Sequence, residues 1–224
     1  MSLAKEEISD VMTYSELTSH KPKIIYGLIK RIGDILLSFL GLLLLSPFLL
    51  ILWLTMKISE PNGSFLFSQI RVGKNGKTFK MYKIRSMHMD AEAQLEKLLI
   101  HNEIDGAMFK MKDDPRVTKI GKFIRKTSID ELPQLFNVLQ GHMSLVGPRP
   151  PLPREVAQYT DYQKQRLQVR PGCTGLWQVS KRNNCTFQEM VELDLKYIRE
   201  QNFLYDISLI FRTVWVMIRP NGAS

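Results

Sequence analysis

Hydrophobic positions along the chain follow several patterns, and each predicts a different element. Ile35 to Met56 reads ILLSFLGLLLLSPFLLILWLTM, 22 consecutive uncharged residues. At about 1.5 Å per helical residue this reaches across a hydrocarbon core of about 30 Å. Ser64 to Ile84 alternates instead, with FLFSQIRV and KTFKMYKI on either side of Gly73-Lys74-Asn75-Gly76, and an Asn-Gly turn between alternating arms predicts a β-hairpin. In its second arm Phe79, Met81, Lys83 and Arg85 share one face. Leu132, Leu135, Phe136 and Leu139 recur at helical spacing before Gly141, and helices are also predicted over Asp90 to His101 and Phe187 to Gln201. LWQVS at 176–180 reads as a short strand. The closing stretch FLYDISLIFRTVWVMIRP is aromatic and aliphatic but carries Asp206, Arg212 and Arg219, a pattern that predicts an interfacial helix lying on a bilayer rather than a span.

The 22-residue run is a membrane segment and not a cleavable signal, because it is too long and begins too far from Met1. Its path has two readings. Lys21, Lys23, Lys30 and Arg31 precede it, and Lys57, Arg71, Lys74, Lys77, Lys80, Lys83 and Arg85 follow, so both flanks favour the cytoplasmic side. A kinked span places one flank on the wrong side. A re-entrant helix places both correctly, and Ser46-Pro47 at mid-run supplies a break, since proline removes a backbone hydrogen bond and the serine hydroxyl can satisfy a freed group. Asp34 is expected to cap or to pair with Lys30 or Arg31. The predicted division is a tail at 1–27, the membrane helix at 28–57 and a cytosolic domain at 58–224 resting on the membrane.

Composition and charge narrow the class. Of 224 residues 44% are hydrophobic and 24% charged, with a net charge of +9; such a chain packs a core and is not disordered. The excess lies in residues 57–126, with fifteen basic and eight acidic side chains, directly after the apolar run. No nucleic-acid recognition motif accompanies it, which favours a bilayer surface or a phosphorylated substrate. Cys173 and Cys185 are the only cysteines, too few for a disulfide framework or a zinc site. His20, His88, His101 and His142 have no metal-ligand spacing, and neither a dinucleotide fingerprint nor a phosphate-binding P-loop occurs.

Candidate chemistry centres on Asp130 and Glu131. Pro133 is tolerated only in the first turn of a helix, so the helix through Leu132 to Leu139 is expected to start near Asp130, with both carboxylates at its positive end. An ionised pair there can hold Mg²⁺, and an aspartate can attack phosphorus. The competing reading is a helix cap, since Ser128-Ile129-Asp130-Glu131 matches a capping box. Arg149 is held between prolines in GPRPPLP, and a fixed arginine suits phosphoryl chemistry.

Taken together, the apolar run with Ser46-Pro47, KIRSM at 83–87, DDPRVTKIGKFIRKTSIDELPQLFNVLQGHMSLVGPRP at 113–150 and RPGCTGLWQVSKRNN at 170–184 resemble the bacterial sugar transferases, the monotopic phosphoglycosyl transferases. The resemblance covers roughly residues 28–215. It implies an α/β, mostly helical fold: a re-entrant membrane helix broken at Ser46-Pro47, and a small catalytic domain with a β-hairpin and interfacial amphipathic helices. It implies that a UDP-sugar gives its sugar 1-phosphate to undecaprenyl phosphate with release of UMP, the first membrane step of polysaccharide or glycoconjugate synthesis. Asp130 would be the nucleophile of a covalent phosphosugar intermediate, and Glu131 would assist Mg²⁺ binding or proton handling. Lys83, Arg85 and Arg149 would neutralise phosphate, Arg182 and Asn183 would meet the nucleotide, and Asp206 matches a family acidic position. The implied setting is the bacterial inner membrane, catalytic domain on the cytoplasmic face, among membrane lipids, without nucleic acid and with room for a homodimer. The alternative from another class is a non-enzymatic module that binds anionic lipid or a partner through the basic hairpin.

Overall fold

The long apolar run forms α1, Ile24–Ser59, in a computed structural model that describes residues 24–98, 100, 111, 113–180 and 185–218. Only 11% of its most apolar 18-residue stretch is buried, so most of its leucines and phenylalanines face outward, as suits a lipid solvent. One stripe turns inward: Asp34, Ser38, Leu52 and Met56 are buried, with Gly41, Leu45 and Leu49 partly covered between them. The spacing of three and four residues continues over this whole length, so the helix lies along the rest of the protein from one end to the other.

Pro47 sits inside this helical run rather than ending it. The carbonyl that a proline at 47 leaves without its usual partner is that of Leu43, and the Ser46 hydroxyl donates to it at 2.8 Å. Polar side chains of the first half fasten the helix. Arg31 donates to the carbonyls of Val138 and Leu139 at 2.6 and 2.9 Å. Lys30 pairs with Asp206 at 2.7 Å. Asp34 accepts from the backbone N–H of Leu145 at 3.0 Å, and not from Lys30 or Arg31 as expected, because its buried carboxylate faces the strand that follows His142-Met143.

The hairpin pairs β1, Leu66–Val72, with β2, Thr78–Ile84, antiparallel, with Phe67 opposite Lys83, Gln69 opposite Met81 and Arg71 opposite Phe79. Its turn contains Asn75 at φ 57° and Gly76 at φ 76°, the left-handed pair that Asn-Gly accommodates. The remaining helices are α2, Ala91–Leu98; α3, Lys119–Lys126; α4, Gln134–Leu139; the short α5, Pro153–Val156, and α6, Asp161–Lys164; α7, Leu176–Ser180; α8, Phe187–Glu200; and α9, Phe203–Ile218. A second, parallel pair that the sequence did not suggest joins β3, Ser144–Val146, to β4, Gly172–Thr174. LWQVS is not a strand but the helix α7, which drops Leu176 into a core cluster with Val191, Leu195 and Leu209; burial of one large side chain outweighs the local preference of a five-residue stretch.

Two further clusters build the floor of the site. Leu52 and Met56 of α1 pack with Ile84 and Ile124, and Phe79 and Met81 of the hairpin pack with Val138 and Met143. The hairpin's open edge is closed by a side chain: Asn137 donates to the Lys80 carbonyl at 2.7 Å and accepts from the Tyr82 N–H at 3.0 Å. One amide thus takes the place of a third strand and locks α4 to β2.

Candidate active site

Asp130 is placed by a 3-10 turn, Ile129–Glu131, and not by the first turn of a longer helix; α4 begins only at Gln134 and has six residues, so its dipole contributes little. Ser128 is left-handed (φ 56°) and its side chain makes no cap bond, which removes the capping-box reading. The turn brings Asp130 and Glu131 against Lys83, the last inward residue of the β2 face. The Lys83 ammonium lies 2.8 Å from Glu131 Oε1 and 3.7 Å from Asp130 Oδ2. Asp130 is 7% exposed. Burial pushes its carboxyl above the ordinary aspartate range, and Lys83 opposes that rise. For Glu131 burial acts in the same direction, but Lys83, with Arg149 and Arg71 beyond it, outweighs burial and holds the carboxyl low. One carboxylate is therefore firmly ionised and the other is more basic and partly desolvated.

Beside the pair an open cleft is walled by Arg71, Lys83, Glu131 and Arg149, with Gln134, Cys173 and Gln178 completing its rim. Arg149 is aimed by Glu155, which lies 3.8 Å away and is itself fixed by the Leu152 N–H at 2.8 Å. Gly147 and Gly172 bring this wall together: the Gly147 N–H donates to Thr174 O and the Gly172 N–H to Pro148 O, both at 2.9 Å. A Cβ on Gly172 would stand 2.1 Å from the Gly147 nitrogen, so no larger residue fits without moving the Pro-Arg-Pro loop. Burial first and the like charge of Arg149 second push Arg71 down to about 10, which still leaves it cationic at neutral pH. Burial and then Glu131 raise the Cys173 thiol, so it stays protonated.

The structure thus gathers Asp130, Glu131, Lys83 and Arg149 at one site. It does not bring Arg85 or Asp206 there. Arg85 is buried in a separate hollow, where its guanidinium pairs with Glu60 and its Nε donates to the Ser64 carbonyl at 2.6 Å. Asp206 accepts from Tyr197 at 2.7 Å, Lys30 at 2.7 Å and Tyr26 at 2.8 Å, a knot that ties α1 to α9. Arg182 and Asn183 lie outside the described residues. Sequence reasoning missed Arg71, Gln134 and Gln178; for Arg71 the signal was its two-residue spacing from Gln69 on an inward-facing arm. Among the described residues no group of three or more His, Cys, Asp or Glu side chains could hold a metal. Two adjacent carboxylates still suit Mg²⁺ carried by a phosphate ligand, because that ion keeps several waters and takes few protein oxygens.

Carboxylates, an ammonium and two guanidiniums around an open cleft are the equipment of phosphoryl transfer, and comparison with known proteins agrees. The sequence profile described as bacterial sugar transferase matches residues 25–220. The chain belongs to the bacterial sugar transferase family. It is 52% identical over 195 residues to the galactosyl transferase CpsE of Streptococcus agalactiae serotype III, covering 87% of this chain and 43% of that one. It is 44% identical over 199 residues to the undecaprenyl-phosphate galactose phosphotransferase of Salmonella typhimurium, covering 87% and 41%. The exopolysaccharide production protein ExoY of Sinorhizobium fredii is 39% identical over 201 residues, with 88% of each chain covered. As a family member the chain spans less than half the length of the first two relatives and most of the third.

Proposed function

We propose that this bacterial sugar transferase moves a sugar 1-phosphate from a UDP-sugar to undecaprenyl phosphate, in two displacements at Asp130. The observation that carries the reading is the Asp130–Lys83–Glu131 cluster opening onto a cleft walled by Arg71 and Arg149. In the first displacement a carboxylate oxygen of Asp130 bonds to the sugar-bearing β-phosphorus, the bond from that phosphorus to the bridging oxygen breaks, and the electron pair leaves on UMP. In the second the lipid phosphate oxygen attacks the same phosphorus and Asp130 departs as carboxylate. Lys83 neutralises charge at the attacked phosphoryl group, while Arg149, held by Glu155, presents a planar fork to phosphate oxygens. Asp130 and Glu131 would hold Mg²⁺, which when bound offsets diphosphate charge. UMP release from a panel of UDP-sugars with undecaprenyl phosphate and Mg²⁺ tests the reading. At least one sugar is expected to give UMP and the lipid-linked product; no release from folded protein with any of them would favour a non-enzymatic lipid-binding module.

We further propose that α1 enters and leaves the bilayer on the same side, bending at Ser46-Pro47, with the site on the cytoplasmic face of the inner membrane and α9 lying at the interface. Both halves of α1 pack on the same body, through Arg31 and Asp34 at one end and Leu52 and Met56 at the other. Exposed Phe203, Phe211 and Trp215 on α9 offer rings at headgroup depth, with Leu204 exposed beside them. In a background with Cys173 and Cys185 replaced, Gly27→Cys and Asn62→Cys are expected to react with a membrane-impermeant thiol reagent from the same side. Labelling from opposite sides would establish a spanning helix instead.

A further inference from the structure

We propose that Arg71 is a phosphate-binding residue of this site, whose guanidinium joins that of Arg149 in holding the phosphate of the departing nucleotide while Asp130 attacks the sugar-bearing phosphorus. The proposal rests on the donor reading above and deepens it by assigning the leaving-group end of the cleft.

Arg71 is 7% exposed, yet no carboxylate pairs with it directly; Glu155 and Glu131 act on it only from beyond ion-pair distance. Nη1 donates to the Pro150 carbonyl at 3.1 Å and Nη2 to Gln69 Oε1 at 2.8 Å, while the buried Nε has no hydrogen-bond partner. Both partners are neutral. Among the described residues no carboxylate lies within ion-pair distance of it, although Arg149, a second cation, lines the same cleft. A buried cation is costly unless an anion completes it. Other buried arginines of this protein have that anion, as Arg116 does in Asp114 and Arg166 in Asp194. Arg71 instead has an open cleft.

A purely structural role, strapping the Pro-Arg-Pro loop to the hairpin, does not account for the charge. The loop is already held by a backbone bond from the Val72 N–H to Pro151 O at 2.9 Å, and a neutral donor would serve Pro150 equally well. Position along the hairpin supplies the remaining step. Lys83 stands opposite Phe67 on the inward face, and Arg71 is four residues further along that strand, about 13 Å along the backbone at strand rise. Lys83 thus marks the carboxylate end of the cleft and Arg71, beside Arg149, the other. When the Asp130 oxygen bonds to the β-phosphorus and the bridging P–O bond breaks, the electron pair and its charge pass to the nucleotide phosphate. Two guanidiniums at that end stabilise it as it forms.

The test is equilibrium binding of UDP and of uridine to the full chain in nanodiscs, for wild type, Arg71→Gln and Arg71→Lys. Gln keeps a donor for Pro150 and loses the charge; Lys keeps the charge. Loss of a charge-assisted hydrogen bond is expected to weaken UDP binding about 10- to 100-fold in Arg71→Gln, with uridine binding unchanged and much of the UDP affinity recovered in Arg71→Lys. UDP affinity equal to wild type in Arg71→Gln, or equal losses for UDP and uridine, would overturn the assignment. Should Arg71→Gln not fold, Arg71→Lys decides alone: weaker UDP with unaltered uridine supports the assignment, and parallel loss contradicts it. A wild-type protein that binds neither UDP nor uridine would instead remove the nucleotide reading itself, and this inference with it.

Discussion

Asp130→Asn is expected to abolish turnover, lowering kcat by about three orders of magnitude or more, and to leave the protein without a sugar-phosphate adduct in an intact-mass spectrum. The isosteric amide keeps the shape of the 3-10 turn but cannot form the acyl phosphate. The same change should stabilise the fold. Burial raises the Asp130 pKa, so the folded state binds this proton more tightly than the unfolded chain does. The resulting cost of folding is absent below the ordinary aspartate value of about 3.9 and complete once pH exceeds the raised value. At neutral pH the Asn variant should therefore unfold at higher temperature than wild type, with the gain shrinking as pH falls. In wild type the acid limb of kcat/KM is expected above the usual carboxylate range, because Asp130 must be ionised to attack. Unchanged turnover in Asp130→Asn would remove Asp130 as nucleophile.

Asp194→Ala should cause the largest loss of stability, about 3–5 kcal/mol. Asp194 and Arg166 form an ion pair with both side chains 1% exposed. Arg166 also donates to the Tyr159 hydroxyl at 3.0 Å and to the Arg149 carbonyl at 3.5 Å. The pair therefore ties α8 to the backbone of Arg149, whose side chain is the proposed phosphate clamp. Removing the carboxylate strands a buried guanidinium, and a loss of that size consumes much of the roughly 5–15 kcal/mol that a domain has. Replacing both partners with apolar residues, Arg166→Met with Asp194→Leu, removes the stranded charge and is expected to recover most of the stability. Denaturant unfolding of Arg166→Met, Asp194→Leu and the double variant that combines them reads the result; a double variant no better than the sum of those two single ones would show that the stranded charge is not the source of the loss.

The reach of the sequence differs from one element to another for physical reasons. The hairpin was legible because Asn-Gly and a two-residue period are local signals, and Lys83 followed from them as an inward-facing cation. Asp130 and Glu131 were legible through Pro133, which restricts where a helix can begin, although the outcome is a 3-10 turn before a short helix. Arg85 shares the β2 face with Lys83 and was assigned the same task. Its actual partner, Glu60, comes from the segment after α1, a tertiary choice that periodicity does not carry. Asp206 was read as a site acid; its partners, Lys30 and Tyr26, stand 176 and 180 residues away in sequence. Arg71 was hidden among six basic residues of the hairpin, and only the arrangement of Pro150, Gln69 and Arg149 around it separates it from the exposed lysines. Asn137, by contrast, sits in a helix as an unremarked polar residue, and its task becomes visible only with the hairpin edge that it completes.

In the two-displacement reaction proposed here, Asp130 takes the phosphosugar before any lipid acceptor arrives. The most direct measurement is rapid quench of the enzyme with its preferred UDP-sugar in the absence of undecaprenyl phosphate, following UMP. A burst of UMP approaching one equivalent per active enzyme is expected, absent in Asp130→Asn. UMP that appears only once the acceptor is added would contradict it and indicate direct transfer.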